Sequence, residues 1–117
     1  MGNRNHDAQR ESEIQRLQDE QGKWSDATFG VKRDPRPALH HLRKEVREVI
    51  RKPFDTVEYA DCLMLLLDAY RKVGGSADEL VQVAFAKLDI NREREWGDPD
   101  QNGVVEHVRK PSGSAAQ

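Results

Sequence analysis

Four acids recur in two pairs of identical spacing, Glu45 with Glu48 and Glu58 with Asp61. A three-residue interval puts both members of a pair on one face of a helix. Pro53 lies midway between the pairs: Glu48 and Glu58 are equidistant from it, as are Glu45 and Asp61. If the flanking helices form an antiparallel hairpin, equal offsets at about 1.5 Å per residue put residues at equal heights. Two rungs of facing carboxylates are then expected. Acids so placed repel one another and hold their protons unless a cation neutralises them. Magnesium, with manganese able to substitute, prefers carboxylate oxygens and completes its shell with waters and substrate phosphates, so the expected ligand is phosphorylated. The competing reading is of solvated acids screened by Arg43, Lys44, Arg47, Arg51 and Lys52. It accounts for either pair alone, but not for the mirrored placement. Nor does it account for Asp61 at the edge of the apolar run CLMLLL, where an unpaired charge is costly.

Helices must position these acids. Leu39, Leu42, Val46, Val49 and Ile50 recur at helical spacing over 38–51, and Pro53 enforces the stop. The next helix starts at the N-cap Asp55, with Glu58 three residues on as a variant capping box, and runs to Val73 before Gly74-Gly75. Its Cys62 to Leu67 segment is apolar nearly all round, as in the centre of a bundle or at a subunit interface. Ile14 and Leu17 mark a thinner apolar stripe on a first helix over 7–21, which Gly22 is expected to end. Lys23 to Pro37, with Trp24, Phe29, Gly30 and two prolines, has turn chemistry and reads as a loop. Ser76 with Glu79 opens a fourth helix carrying Leu80, Val83, Ala84 and Leu88 to about Glu95. No strand pattern or internal repeat occurs, so the fold class is all-α.

Length allows one domain with a modest core. Residues 1–96 form the helical domain, and 97–117 an extended or mobile C-terminal tail, suited to packing on a neighbouring subunit and ending in a disordered PSGSAAQ. Charged residues reach 34%, which suits solvated helix faces around a core shared between subunits. A net charge of -2 advertises no nucleic-acid polymer and no anionic membrane surface. The single cysteine, Cys62, makes no internal disulfide; with no secretory stretch and no apolar run long enough to span a membrane, a cytoplasmic setting is expected.

E-V-R-E at 45–48 followed by E-Y-A-D at 58–61 resembles the E-x-x-E and E-x-x-D motif of the MazG-like, all-α nucleoside triphosphate pyrophosphohydrolases. The wider text, Gln21-x-x-Trp24-Ser25, Thr28-Phe29-Gly30, His41-Leu42 and K-L-D-I-N-R-E-R-E-W, is similar to a phage branch described as dATP/dGTP diphosphohydrolase-like. The resemblance spans Gln21 to His107, with a shorter interval between the acidic motifs than in many relatives. It implies a four-helix MazG-like bundle. It also implies hydrolysis of purine (deoxy)nucleoside triphosphates, dGTP or dATP, to the monophosphate and pyrophosphate. Two or more Mg2+ ions per site and a homodimer or homotetramer are further implications. A phage-encoded enzyme of this kind would work in the host cytoplasm, in nucleotide-pool or modified-base metabolism. Glu45, Glu48, Glu58 and Asp61 would be the metal ligands, with Glu48 or Glu45 also the general base.

On the fourth helix Lys87, Asn91 and Arg94 recur at i, i+4 and i+7, one stripe suited to phosphate. The alternative is a solvated basic face. Trp24 could stack on a nucleobase while Gln21 bonds its edge, or anchor the first helix in the core. Trp96 reads as sealing the fourth helix. One of His40 and His41 is expected to pack or to touch phosphate, with packing the preferred reading. Asp98 to Gly103 imitates the start of a calcium loop, but position twelve is Arg109, so a polar turn is expected. No Glu has His three residues later, which argues against a di-iron bundle. Two rival functions remain: a housecleaning pyrophosphatase for non-standard nucleotides, and a non-catalytic helical dimerisation module.

Overall fold

The computed structural model describes residues 10–109. The expected helix start at Asp7 and the PSGSAAQ terminus lie outside them. Four helices follow in order: α1 (Glu13–Phe29), α2 (Arg36–Arg51), α3 (Thr56–Lys72) and α4 (Ala77–Arg92). The only β-structure among the described residues is one isolated antiparallel bridge, Trp96 with His107. The chain divides into two compact units, the first ending at Val81 and the second starting at Gln82.

In the first unit α3 packs against both α1 and α2. Each helix end has a local cause. Ser12 caps α1 by accepting the Gln15 N–H at 3.1 Å. Asp34 accepts the Arg36 N–H at 2.9 Å, and Pro35 and Pro37 fall where the missing N–H costs nothing. The Arg36 guanidinium on Asp34 also holds that carboxyl down to about 2. The Asp55 side chain accepts the Val57 N–H at 3.1 Å, whereas the Asp55 N–H goes to Lys52 O and leaves the Glu58 carboxylate free of a capping duty. The Tyr59 hydroxyl donates to Pro53 O at 2.9 Å and closes the α2–α3 turn. Ser76 accepts the Glu79 N–H at 3.1 Å, so α4 starts as its sequence predicts.

Three boundaries differ from expectation. Gly22 does not end α1, which runs seven residues further to Phe29, absorbing the first half of the expected loop. Glycine costs about 1 kcal/mol inside a helix. It is accommodated here because a Cβ at Gly22 would lie 2.7 Å from Arg71 Cδ, so the bare backbone lets the Arg71 stem cross. The stop comes at Gly30, whose φ of 83° ends the helix while its N–H returns to Asp26 O. The start of α2 falls at Arg36, two residues before the apolar pattern begins. Finally, α4 ends at Arg92 rather than near Glu95, with Glu93 and Arg94 in tight turns onto Ile90 O and Asn91 O.

The interior is thin. Among the described residues the buried apolar side chains are Ala38, Leu67, Ala69 and Ala77, and burial of Leu67 contributes about 2 kcal/mol. Polar groups carry much of the joining. Gln18, 2% exposed, donates through its amide to Leu67 O and Gly75 O and accepts from Ala77 N at 2.8 Å and from Gln15. Arg71 bridges Asp68 on its own helix to Asp26 on α1, and Lys72 also pairs with Asp68.

In the second unit every residue from Gln82 to Ile90 is exposed. Beyond α4 the chain folds back on itself: Gly97 N–H donates to Glu106 O at 2.9 Å and Val108 N–H to Glu95 O at 2.7 Å. Asp100 Oδ1 accepts the N–H groups of Asn102 and Val104, and Gly103 takes a φ of 80°. The calcium-loop imitation is a polar turn, as expected.

Replacing Gln18 with Ala leaves the Leu67 and Gly75 carbonyls and the Ala77 N–H without their partner, a cost of about 2–4 kcal/mol. Urea unfolding of Gln18→Ala should show that loss, and a midpoint equal to wild type would remove Gln18 from the clamp.

Candidate metal centre

The α2–α3 hairpin forms as the Pro53 symmetry predicts, and it brings three of the four acids together. One carboxylate oxygen each of Glu45, Glu58 and Asp61 lies within 4.8 Å of the others, and all three residues are half-buried. Glu48 stands apart from this trio: its Oε1 is 3.3 Å from Arg51 Nη1. Equal sequence offsets set height, but not the rotation of each helix about its axis or the path of the Lys52–Asp55 turn. A 60° difference in direction between i and i+3 is enough to hand Glu48 to Arg51.

The electrostatics at Glu58 are unfavourable on balance. Burial raises Glu58 above its ordinary carboxylate value, and the charges of Glu45, Asp55 and Asp61 raise it further, with Lys52 opposing. Burial also pushes the Cys62 thiol up, reinforced by Glu45, Asp61 and Glu58. Three convergent carboxylates with no thiolate or imidazole in the set fit a hard divalent ion.

His41 Nε2 lies 3.4 Å from Glu45 Oε1, one turn away on α2. The packing preferred for one of His40 and His41 is not seen, since both are exposed, and His41 stands instead against Glu45. Its i, i+4 interval to Glu45 was the available signal. Gln21 and Trp24 lie three residues apart on α1; the Gln21 Oε1 is buried with no hydrogen-bond partner among the described residues. Trp24 is 60% exposed and meets Phe29 edge to face at 5.5 Å, so it is not a core anchor. Lys87 and Asn91 stand one turn apart on α4, while Arg94 falls beyond the helix end, its N–H turned onto Asn91 O. Asn91 Oδ1 is buried and has no hydrogen-bond partner among the described residues. The Trp96 indole N–H donates to Asn91 O at 2.9 Å, sealing the helix end as expected.

Four helices with no strand element among the described residues, carrying on a helical hairpin an acidic trio that could hold a divalent ion, define a MazG-like all-α fold. Residues 17–114 match the family model of dATP/dGTP pyrophosphohydrolase, and the chain belongs to that family. It is similar to the Eaa protein of Salmonella phage P22, 37% identical over 98 residues, covering 84% of this chain but 31% of that longer relative. It is 36% identical over 78 residues to the dATP/dGTP diphosphohydrolase of cyanophage S-2L, covering 65% of this chain and 70% of that relative. A solved structure of the cyanophage S-2L MazG-like pyrophosphohydrolase, bound to dGDP and three catalytic Mn2+ ions per active site, superposes with a TM-score of 0.70. Identity to it is 29%, with 85% of this chain and all of that one covered.

Glu58→Gln or Asp61→Asn should weaken divalent-ion affinity at least about tenfold, since a charged ligand is lost, and titration calorimetry reads this directly. Because the raised Glu58 carboxyl holds its proton, folding favours its protonated form: that contribution is present at low pH and lost as pH rises through the raised value. Ion binding must displace the proton. Magnesium should therefore raise Tm more at neutral than at acid pH, and an equal gain across the carboxylate range would contradict the assignment.

Proposed function

We propose that this chain is a magnesium-dependent pyrophosphohydrolase of purine deoxynucleoside triphosphates, cleaving dGTP or dATP between the α and β phosphates to give the monophosphate and pyrophosphate. The observation that carries the proposal is the convergence of Glu45, Glu58 and Asp61 on one face of the α2–α3 hairpin. The family match and the nucleotide and metal ions of the solved relative support it.

Glu45, Glu58 and Asp61 would hold the ions, two or more per site, with Glu48 completing the set and Mn2+ able to replace Mg2+. Bound there, such ions would supply neutralisation of phosphate charge, a lowered pKa for a bound water and stabilisation of the leaving pyrophosphate. Glu48 or Glu45 takes the proton from the attacking water as general base. The Glu48 contact with Arg51 is a single long, exposed pair, weak enough to yield to a stronger cation. Lys87, Asn91 and Arg94 supply polyphosphate contacts. Trp24 offers an exposed ring for base stacking, and Gln21 an amide whose oxygen lacks a partner among the described residues.

The enzyme works as a homodimer or homotetramer. Support comes from the apolar surface the single chain leaves in water, with Phe54 97% exposed, Ile50 72% and Val57 66%. Its setting is the host cytoplasm of a phage, where the monophosphate product would feed nucleotide salvage or a modified-base pathway. Among the described residues no helix is long and apolar enough to cross a membrane.

Chromatography of products after incubation with each triphosphate and magnesium tests the reaction. Monophosphate with pyrophosphate is expected from dGTP or dATP. Orthophosphate release refutes the cleavage position. Preference for a non-standard base assigns the chain to housecleaning instead, and no turnover of any nucleotide leaves a helical dimerisation module.

A further inference from the structure

The return of the chain after α4 brings a histidine onto the polyphosphate residues. His107 pairs with Trp96 across the antiparallel bridge, and their rings meet edge to face at 6.0 Å. Trp96 in turn donates its indole N–H to Asn91 O. Held in this way, His107 places Nδ1 3.4 Å from Arg94 Nη1. A guanidinium only donates, so Nδ1 must present its lone pair and the ring proton must sit on Nε2. Among the described residues Arg94 has no acid within ion-pair distance, and the imidazole of His107 is the side-chain acceptor on its guanidinium.

We propose that His107 is a positioning residue for the polyphosphate site, using Nδ1 to aim the Arg94 guanidinium. The proposal rests on the reading of Arg94 as a phosphate contact. Two observations favour aiming over mere packing. Arg94 lies beyond the end of α4, so no helix fixes its direction, and a flexible arginine loses side-chain entropy on meeting an anion unless it is held beforehand. In addition, burial and the charges of Arg94, Arg109 and Lys87 lower the His107 pKa, with Glu106 opposing, which keeps Nδ1 unprotonated and able to accept.

The full chain with magnesium is tested in two ways, by steady-state kinetics on dGTP and dATP and by calorimetric binding of inorganic pyrophosphate. His107→Ala should raise KM and weaken pyrophosphate binding about tenfold, the worth of one hydrogen bond to a charged group, with kcat nearly unchanged. His107→Asn should recover most of that loss, because Asn Oδ1 stands where Nδ1 stood, although the ring contact with Trp96 is gone. In an Arg94→Ala background, His107→Ala should add nothing. The proposal is overturned by Asn behaving like Ala, by additive losses, by unchanged constants in His107→Ala, or by a wild-type protein that binds no pyrophosphate. If wild type hydrolyses neither triphosphate yet binds pyrophosphate with this order of variants, the hydrolysis reading fails and His107 keeps its role.

Discussion

The first unit hangs on one buried amide. Gln18 uses both donors on backbone carbonyls, Leu67 O within α3 and Gly75 O in the Gly74-Gly75 turn, and its oxygen receives the first N–H of α4. A side chain that satisfies groups from three segments removes costs that the thin apolar interior could not offset. The Arg71 bridge between Asp68 and Asp26 works beside it, and needs the absent side chain of Gly22 to reach across α1. With α3 held against α1 in this way, its other side is left to meet α2, where the acids converge.

That convergence is electrostatically unfavourable without a partner. Glu45, Glu58 and Asp61 share a half-buried space whose nearest opposing charge in the Glu58 balance is Lys52, and both Glu58 and Cys62 respond by holding their protons more tightly. Folding energy concentrated in Gln18 and the Asp68–Arg71 pairing therefore supports a site that repels itself. A divalent ion relieves the repulsion.

The second unit follows a different logic. Its helical part exposes Val83, Phe85, Leu88 and Ile90, and its order beyond Arg92 comes from backbone pairing around the Asp100 turn. The pairing ties residues near the end of α4 to a segment more than ten positions later, which is how Trp96, Asn91, Arg94 and His107 become neighbours.

Much of this was legible along the chain. Four helices, the Asp55 and Ser76 caps, the stop at Pro53 and the face-to-face acids follow from short-range spacing, because caps, prolines and helical periodicity act within a few residues. Gly22 misled because its reason is Arg71, distant in sequence. Glu48 stood apart from the trio because spacing measures height and not helix rotation. His107 carried no local signal at all. Sequence by itself thus determined which residues are helical and which acids share a hairpin. Only tertiary structure decided that Glu45 meets both Glu58 and Asp61, that α1 continues to Phe29 and that His107 reaches Arg94. Each of these depends on a contact between segments whose mutual rotation no local pattern encodes.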